Sequence, residues 1–372
     1  MGRAALSTPA LSTSADVSGA ADPSGLSPRV RALLWTAFLG VALAALIALI
    51  PLPYAILRPG PAMNTLGHGP DDKPLVAVSG APVYPTSGAL DFTTVRVGGG
   101  PGRRINAWDL LGAWLSPSAE IFPQDEIFPK GSTSEQIQEQ NTAAMTGSQR
   151  EATAVALRSL GKPVKQILLI ASVDPKVPAA KVLRDGDVID TIEGQAADSL
   201  SVIQDRVRRH TAGESVKVVV KRNGTRVPLS VPTTSIDGVT ALGVRLASDY
   251  DFPYEVRIDA GDVGGPSAGT MFALAIRDVL TPGAMTGGKK IAGTGTIDDD
   301  GTVGPIGGIR QKVAGAKDAG AAYFLAPAAN CADLRDHQPK GIQVVRVATY
   351  TEAVSAVESI AKGATDALPS CS

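Results

Sequence analysis

The stretch Gly265-Pro266-Ser267-Ala268-Gly269 sets a serine between two glycines, directly ahead of an apolar helical run, Thr270-Met271-Phe272-Ala273-Leu274-Ala275-Ile276. Further on, a second helical run, Gly307-Gly308-Ile309-Arg310-Gln311-Lys312-Val313, carries a lysine. Three readings of Ser267 compete. Serine ahead of a helix is a common cap, since its oxygen accepts an otherwise unpaired N–H. The Gly265–Gly269 spacing also fits the G-x-S-x-G elbow, which needs an Asp and then a His downstream. His337 is the only histidine after it, and no regular strand–helix alternation surrounds it. The third reading pairs the serine with a lysine base, which must be a neutral amine; burial favours that form. At 100° per residue, Ile309, Val313 and Ala316 make one apolar stripe and Lys312 borders it, while Arg310, Lys317 and Asp318 point elsewhere. The bland alternative for Lys312 is a solvated or snorkelling surface charge.

Working outward, the chain of 372 residues has room for two or three domains. Its formal net charge is −1 and aromatics make up 4%, so neither the basic footprint nor the stacking surface of a nucleic-acid binder is present. His68, His210 and His337 share no ligand spacing, and Cys331 and Cys371 form no C-x-x-C, so no metal and no cofactor is expected.

Residues 1–28 are rich in Ala, Ser, Gly, Pro and Thr, and are expected to form a disordered tail. Arg29 and Arg31 then precede an uncharged run over residues 32–50, beginning Ala32-Leu33-Leu34-Trp35 and closed by Pro51 and Pro53. About 19 residues at ~1.5 Å each span a ~30 Å hydrocarbon core. A buried soluble helix would carry a polar stripe, and none is visible. A cleavable signal and a single membrane anchor (residues 29–52) remain, the flanking arginines putting the N-terminus in the cytoplasm and the bulk of the chain outside. That compartment permits a Cys331–Cys371 disulfide, with two free thiols as the alternative.

Between the anchor and residue 165, segments 75–78 and 89–97 read as extended, 105–115 as helical, and 116–135 as an irregular excursion. A helix is expected over 148–160 with Ser148 as its cap. No chemistry is evident in 60–165. Residues 166–234 have a character of their own. The strand Ile167-Leu168-Leu169-Ile170 is followed by Pro178-Ala179-Ala180, then Leu183-Arg184-Asp185-Gly186-Asp187-Val188-Ile189 and a helix over 200–209. Two strands joined by the hairpin dipeptide Asn223-Gly224 complete the segment. This order resembles a PDZ domain, a fold that takes peptide termini as an added strand. The glycine-rich carboxylate-binding loop expected before the second strand is missing, since only Lys162-Pro163-Val164-Lys165 stands there.

Gly265–Gly269, then Gly293-Thr294-Gly295-Thr296-Ile297, then Gly304-Pro305-Ile306-Gly307-Gly308-Ile309-Arg310-Gln311-Lys312 resemble, in this order, the proteolytic domain of Lon proteases. With the anchor and the PDZ-like segment, the chain resembles the bacterial membrane-anchored PDZ–Lon serine proteases (the YlbL-like group). The resemblance implies an α+β fold after one N-terminal transmembrane helix. Residues 60–165 would be the N-terminal part of a proteolytic region interrupted by the PDZ-like domain at 166–234, 235–362 its catalytic domain and 363–372 a tail. It implies Ser267 as nucleophile, Lys312 as general base, Thr294 as the residue orienting the lysine, and backbone N–H groups around Gly264, Gly265 and Ser267 as the oxyanion hole. Protein or peptide substrates and a homo-oligomeric ring of six also come from it. Two departures stand out. Gly264 occupies a position that is acidic in many Lon enzymes. The run Gly283-Ala284-Met285-Thr286-Gly287-Gly288-Lys289 ends at Lys290 where a phosphate loop needs a hydroxyl, so no nucleotide is expected. The competing function is a catalytically silent membrane scaffold.

Overall fold

The computed structural model describes residues 27–69, 71–335 and 337–371. Up to residue 26, the expected disordered tail lies outside the described residues. The chain divides into two compact units, one running up to Leu52 and including Asn106–Trp108, the other holding the remainder. In the first, helix α1 (Pro28–Ala48) is capped by Ser27, whose hydroxyl accepts from the Val30 N–H. Among the described residues it is the one helix long and apolar enough to cross a membrane, and it buries none of its side chains.

The second unit begins with strands β1 (Tyr54–Asn64), β2 (Val76–Ser79) and β3 (Ala89–Gly98). Helix α2 (Ala107–Trp114), strand β4 (Glu120–Pro123), the single turn α3 (Gln124–Ile127) and the long helix α4 (Ser134–Ser159) come after these. The excursion expected over 116–135 therefore contains a strand, which pairs with the start of β1. Helix α4 starts fourteen residues ahead of the expected cap at Ser148. Its first half is polar and shows no apolar period, but Thr133 and Gln136 form a reciprocal capping box that starts the helix. Ser148 is thus a buried mid-helix residue and not a cap.

Next come β5 (Lys165–Val173), β6 (Val188–Ile192), the two-residue β7 (Gln195–Ala196), helix α5 (Leu200–Arg208), β8 (Ser215–Arg222) and β9 (Thr225–Pro232). The last two are joined by Asn223 and Gly224, both at positive φ, as that dipeptide allows. A small hairpin, β10 (Thr234–Ile236) and β11 (Val239–Ala241), leads to β12 (Val244–Asp251). The sheet order is β12-β5-β6-β8-β9, so a strand beyond residue 234 forms one edge of the PDZ-like sheet. The core of this part is Leu168, Ile170, Ile189, Ile192, Val218 and Val220 with Ile203 and Val207 of α5.

Strand β13 (Glu255–Ile258) returns the chain to β2. Helix α6 (Gly269–Leu280), β14 (Lys290–Gly293), the hairpin β15 (Thr296–Ile297) and β16 (Val303–Gly304), and helix α7 (Ile309–Asp318) come next. Strand β17 (Tyr323–Pro327), the turn α8 (Cys331–Leu334), β18 (Gln343–Val347) and α9 (Tyr350–Ala361) close the fold. The main sheet runs β18-β17-β14-β3-β1-β4, parallel from β18 to β3 and antiparallel beyond. Alternate residues face opposite layers, as a strand's period of two requires. Ile291 and Leu325 pack with α4, α6 and α9, while Ala292, Phe324 and Ala326 pack with α7. Both faces of the parallel part are therefore covered by helices.

Candidate active site

The loop after β13 runs into α6 past the carboxyl end of β14, where open parallel sheets place ligands. Ser267 is the second residue before that helix, and β14 hands on directly to Thr294. Helix α7 comes from the opposite face. Its stripe of Ile309, Val313 and Ala316 is buried, and Lys312 beside it is only 2% exposed. The structure brings the three side chains together. Lys312 Nζ lies 2.6 Å from Ser267 Oγ and 3.0 Å from Thr294 Oγ1.

The Thr294 hydroxyl donates to the Ser267 carbonyl at 2.9 Å, and the Gly295 N–H donates to the same oxygen at 2.8 Å. With its proton committed there, Thr294 Oγ1 accepts an N–H from the lysine amine. That fixes the amine and leaves its lone pair for Ser267. Burial holds the Lys312 amine down to about 7 from its ordinary 10.5. An amine in that range is about half neutral at pH 7, and so able to accept a proton there.

The two glycines ahead of the serine have different tasks. A Cβ on Gly264 would stand 2.7 Å from Asn141 Cβ, so glycine is what lets the loop approach α4. Gly265 sits at φ +90°, in the region that favours glycine. Its N–H donates to the Asn141 carbonyl at 2.9 Å, so in this arrangement it is occupied and does not face a substrate. Among the described residues, the Gly264 and Ser267 N–H groups have no protein acceptor. The Ser267 N–H adds to the positive end of α6.

A cleft of ≈ 710 Å³ opens over the serine, walled by Met63, Phe92, Val95, Met145, Ala260 and Val263. Along it runs the outer half of β3. That strand is paired with β14 only as far as Phe92, so from Thr93 onward its β14 side has no strand partner among the described residues.

A second concavity of ≈ 430 Å³ lies between α5 and the outer edge of β12, lined by Leu200, Ile203, Val207, Leu242, Val244 and Leu246. The loop entering β12 is Leu242-Gly243. Gly243 is at φ +70°, and a Cβ there would meet Val177 Cγ1 at 2.7 Å. A glycine-bearing loop therefore does stand at the head of the groove. It comes from the C-terminal side of the segment instead of preceding β5.

Cys331 and Cys371 are joined in a disulfide, Cα–Cα 4.8 Å, in the cluster beneath α7. Residues 283–289 lie in the turn between α6 and β14, and Lys290, the first residue of β14, has its Nζ taken up by the Ala319 carbonyl and Asp91. Among the described residues no group of three or more His, Cys, Asp or Glu could hold a metal ion. Sequence reasoning missed Asn141 and read Ser148 only as a helix cap; both touch the serine loop from α4. The capping box at Thr133 is the only local signal that a helix begins early enough to carry both.

Residues 254–365 match the model of the Lon protease (S16) C-terminal proteolytic domain, and residues 152–233 match that of the PDZ domain. Lon protease 1 of Sorangium cellulosum is 46% identical over 83 residues, 22% of this chain and 10% of that protein. The Lon protease of Phenylobacterium zucineum is 35% identical over 121 residues, covering 32% and 15%. The PDZ domain of an SdrC-like protein from Listeria monocytogenes, a solved structure, is 32% identical over 21% of this chain and 85% of that chain, with a TM-score of 0.21. The chain thus spans only 10% to 15% of the length of those two Lon proteases.

Proposed function

We propose that this chain, a Lon-type serine peptidase that carries a PDZ domain, is a membrane-anchored, ATP-independent endopeptidase working through a Ser267–Lys312 dyad. The observation that carries this is the 2.6 Å Nζ–Oγ contact to an amine whose pKa is held near 7. Neutral Lys312 takes the Ser267 hydroxyl proton as Oγ attacks the scissile carbonyl. Collapse of the tetrahedral intermediate expels the amine, which leaves with that proton, and the acyl-serine ester remains. Lys312 then activates water against the ester, and Ser267 is regenerated. The Ser267 N–H is the donor best placed for the oxyanion. Substrate enters as an extended strand, matching the unpaired side of β3 beyond Phe92, and the apolar cleft walls favour apolar side chains.

ATP independence is supported by the glycine run at 283–289, which lies between a helix and a strand in that order and has Lys290 anchored away. Membrane anchoring is supported by α1, with Arg29 and Arg31 keeping its N-terminus inside. The Cys331–Cys371 disulfide fits a catalytic domain on the oxidising side. We read 60–165 and the segment from 254 onward as one proteolytic domain, because β3 and β14 are neighbours in one sheet. The groove beside β12, with Gly243 at its head, fits capture of a peptide terminus.

The test is cleavage of an unstructured protein by the full chain in detergent. Ser267→Ala abolishes it, and so does Lys312→Arg, because a guanidinium stays protonated. Undiminished cleavage by Ser267→Ala, or an active Arg variant, would sink the dyad. Inactivity of the wild-type chain would favour the scaffold.

A further inference from the structure

We infer that Ser148 is a positioning residue for the oxyanion site, a role that rests on the dyad reading above. Helix α4 carries other hydroxyls, and two of those in its interior do what mid-helix hydroxyls ordinarily do. Thr146 donates back to the Thr142 carbonyl and Thr153 to that of Gln149. Ser148 does not. Its hydroxyl leaves the helix and donates to the Pro266 carbonyl at 2.8 Å. The side chain is buried at 2% exposure, so the contact is shielded from bulk solvent. Gly269 makes the approach possible, since a Cβ there would stand 2.7 Å from Ser148 Oγ. Among the described residues, the only other donor to the Pro266 carbonyl is the Gly269 N–H, at a long 3.4 Å.

The Pro266 carbonyl belongs to the peptide unit whose N–H is that of Ser267. The unit is trans, as are all peptide bonds among the described residues. In a planar trans peptide the C=O and N–H point in opposite directions. Holding the carbonyl against α4 therefore aims the Ser267 N–H away from α4, and there it has no protein acceptor among the described residues. Ser148 fixes the plane of this peptide, and with it the direction of the oxyanion donor. The helix that carries Ser148 is itself fixed two residues on, where Arg150 pairs with Asp249 and donates to the Tyr250 carbonyl at 3.1 Å. Ser148 touches neither Ser267 Oγ nor Lys312, so its effect runs through the peptide plane and not through the proton transfer.

The experiment compares Ser148→Ala, Ser148→Cys and Ser148→Thr in the full chain, using a fluorogenic peptide and a peptidyl boronate that forms a tetrahedral adduct on the serine. Deleting an oxyanion donor outright costs ~10²–10³ in kcat, so freeing its peptide plane should cost about 10–100-fold. The expected result for Ser148→Ala is that loss in kcat with KM within about twofold, boronate affinity falling by a similar factor, and the acid limb of the pH profile unmoved. Threonine, which keeps the hydroxyl, restores both. Cysteine, a weak donor of similar size, falls between and serves if the alanine variant does not fold. Unchanged kcat, a kcat loss without loss of boronate affinity, or a displaced acid limb would each overturn the assignment. If Ser267→Ala abolishes cleavage while Ser148→Ala and Ser148→Cys retain full kcat, this inference alone fails. A wild-type chain without cleavage would instead sink the reading beneath it.

Discussion

If the proposed dyad carries turnover, its pH dependence follows from the burial of Lys312. Its amine is held down to about 7 by desolvation. At pH 7.4 an amine of pKa about 7 is roughly 70% neutral, against about 0.1% for a lysine of ordinary pKa, a difference of several hundredfold in available base. The rate kcat/KM should therefore rise about tenfold per pH unit below ~6.5, bend near 7 and stay level to about 9. At pH 5 it should stand roughly 100-fold below the plateau. The depression from 10.5 to about 7 also corresponds to about 5 kcal/mol of disfavour for the charged form in the folded chain. The folded pKa lies below the unfolded one, so this penalty is absent above pH 10.5 and stability is lost as pH falls through 7.

A second group titrates in the same window and must be separated from it. The Glu151 carboxyl is pushed up to about 7 by burial, then by Asp298 and Asp299. The assay is therefore a pH profile on a fluorogenic peptide from pH 5 to 9, for wild type and for Glu151→Gln. Both should bend near 7. A profile that is flat from 6 to 8.5 would refute the reasoning. So would a bend that disappears in Glu151→Gln.

Three further outcomes are expected. Because the folded pKa of Glu151 lies above its unfolded value, its contribution to stability is present below pH 4.5 and lost as pH rises through 7. Discounted for partial exposure, Glu151→Gln should be about 1–2 kcal/mol more stable than wild type at pH 8 and equal to it at pH 4, measured by denaturant midpoint. Cys371→Ser opens a loop of sequence separation 40 and should cost about 3–4 kcal/mol; unchanged midpoints with and without reductant would contradict this. Gly264→Ala drives a methyl into Asn141 Cβ, so the loop or α4 must shift, at about 1–3 kcal/mol and with at least tenfold loss of kcat; a fully active, equally stable variant would show that the approach is not needed.

The parts of the site that were legible in the sequence are those written in short range. The helical phase of Ile309, Val313 and Ala316 put Lys312 beside an apolar face, and the structure buries it. Asn223-Gly224 announced a two-residue turn. What stayed hidden depends on partners far along the chain. The polar first half of α4 gains its place from contact with the catalytic loop, through Asn141 and Ser148, and no apolar periodicity records such a contact. The strand β12 reads locally as the start of the catalytic segment, yet it closes the PDZ-like sheet against β5. Local pattern carries pitch and turn type, whereas strand order is a property of pairing between distant segments.

That pairing also explains how a folded module can sit inside the chain of the proteolytic domain. The first residue of β5, Lys165, is paired with the last residue of β12, Asp251, so the inserted part begins and ends at one point. A segment whose ends are adjacent can be inserted with little distortion of its host. Its entry and exit lie where α4 and β12 are joined through Arg150, and α4 continues to Ser148 and Asn141 on the serine loop. The segment after the module supplies Ser267, Thr294 and Lys312, and the segment before it supplies β3 and the α4 contacts of Asn141 and Ser148. If 60–165 is the first part of the proteolytic domain, as proposed, its lack of chemical motifs is expected, because its contribution is the surface on which the serine loop is set.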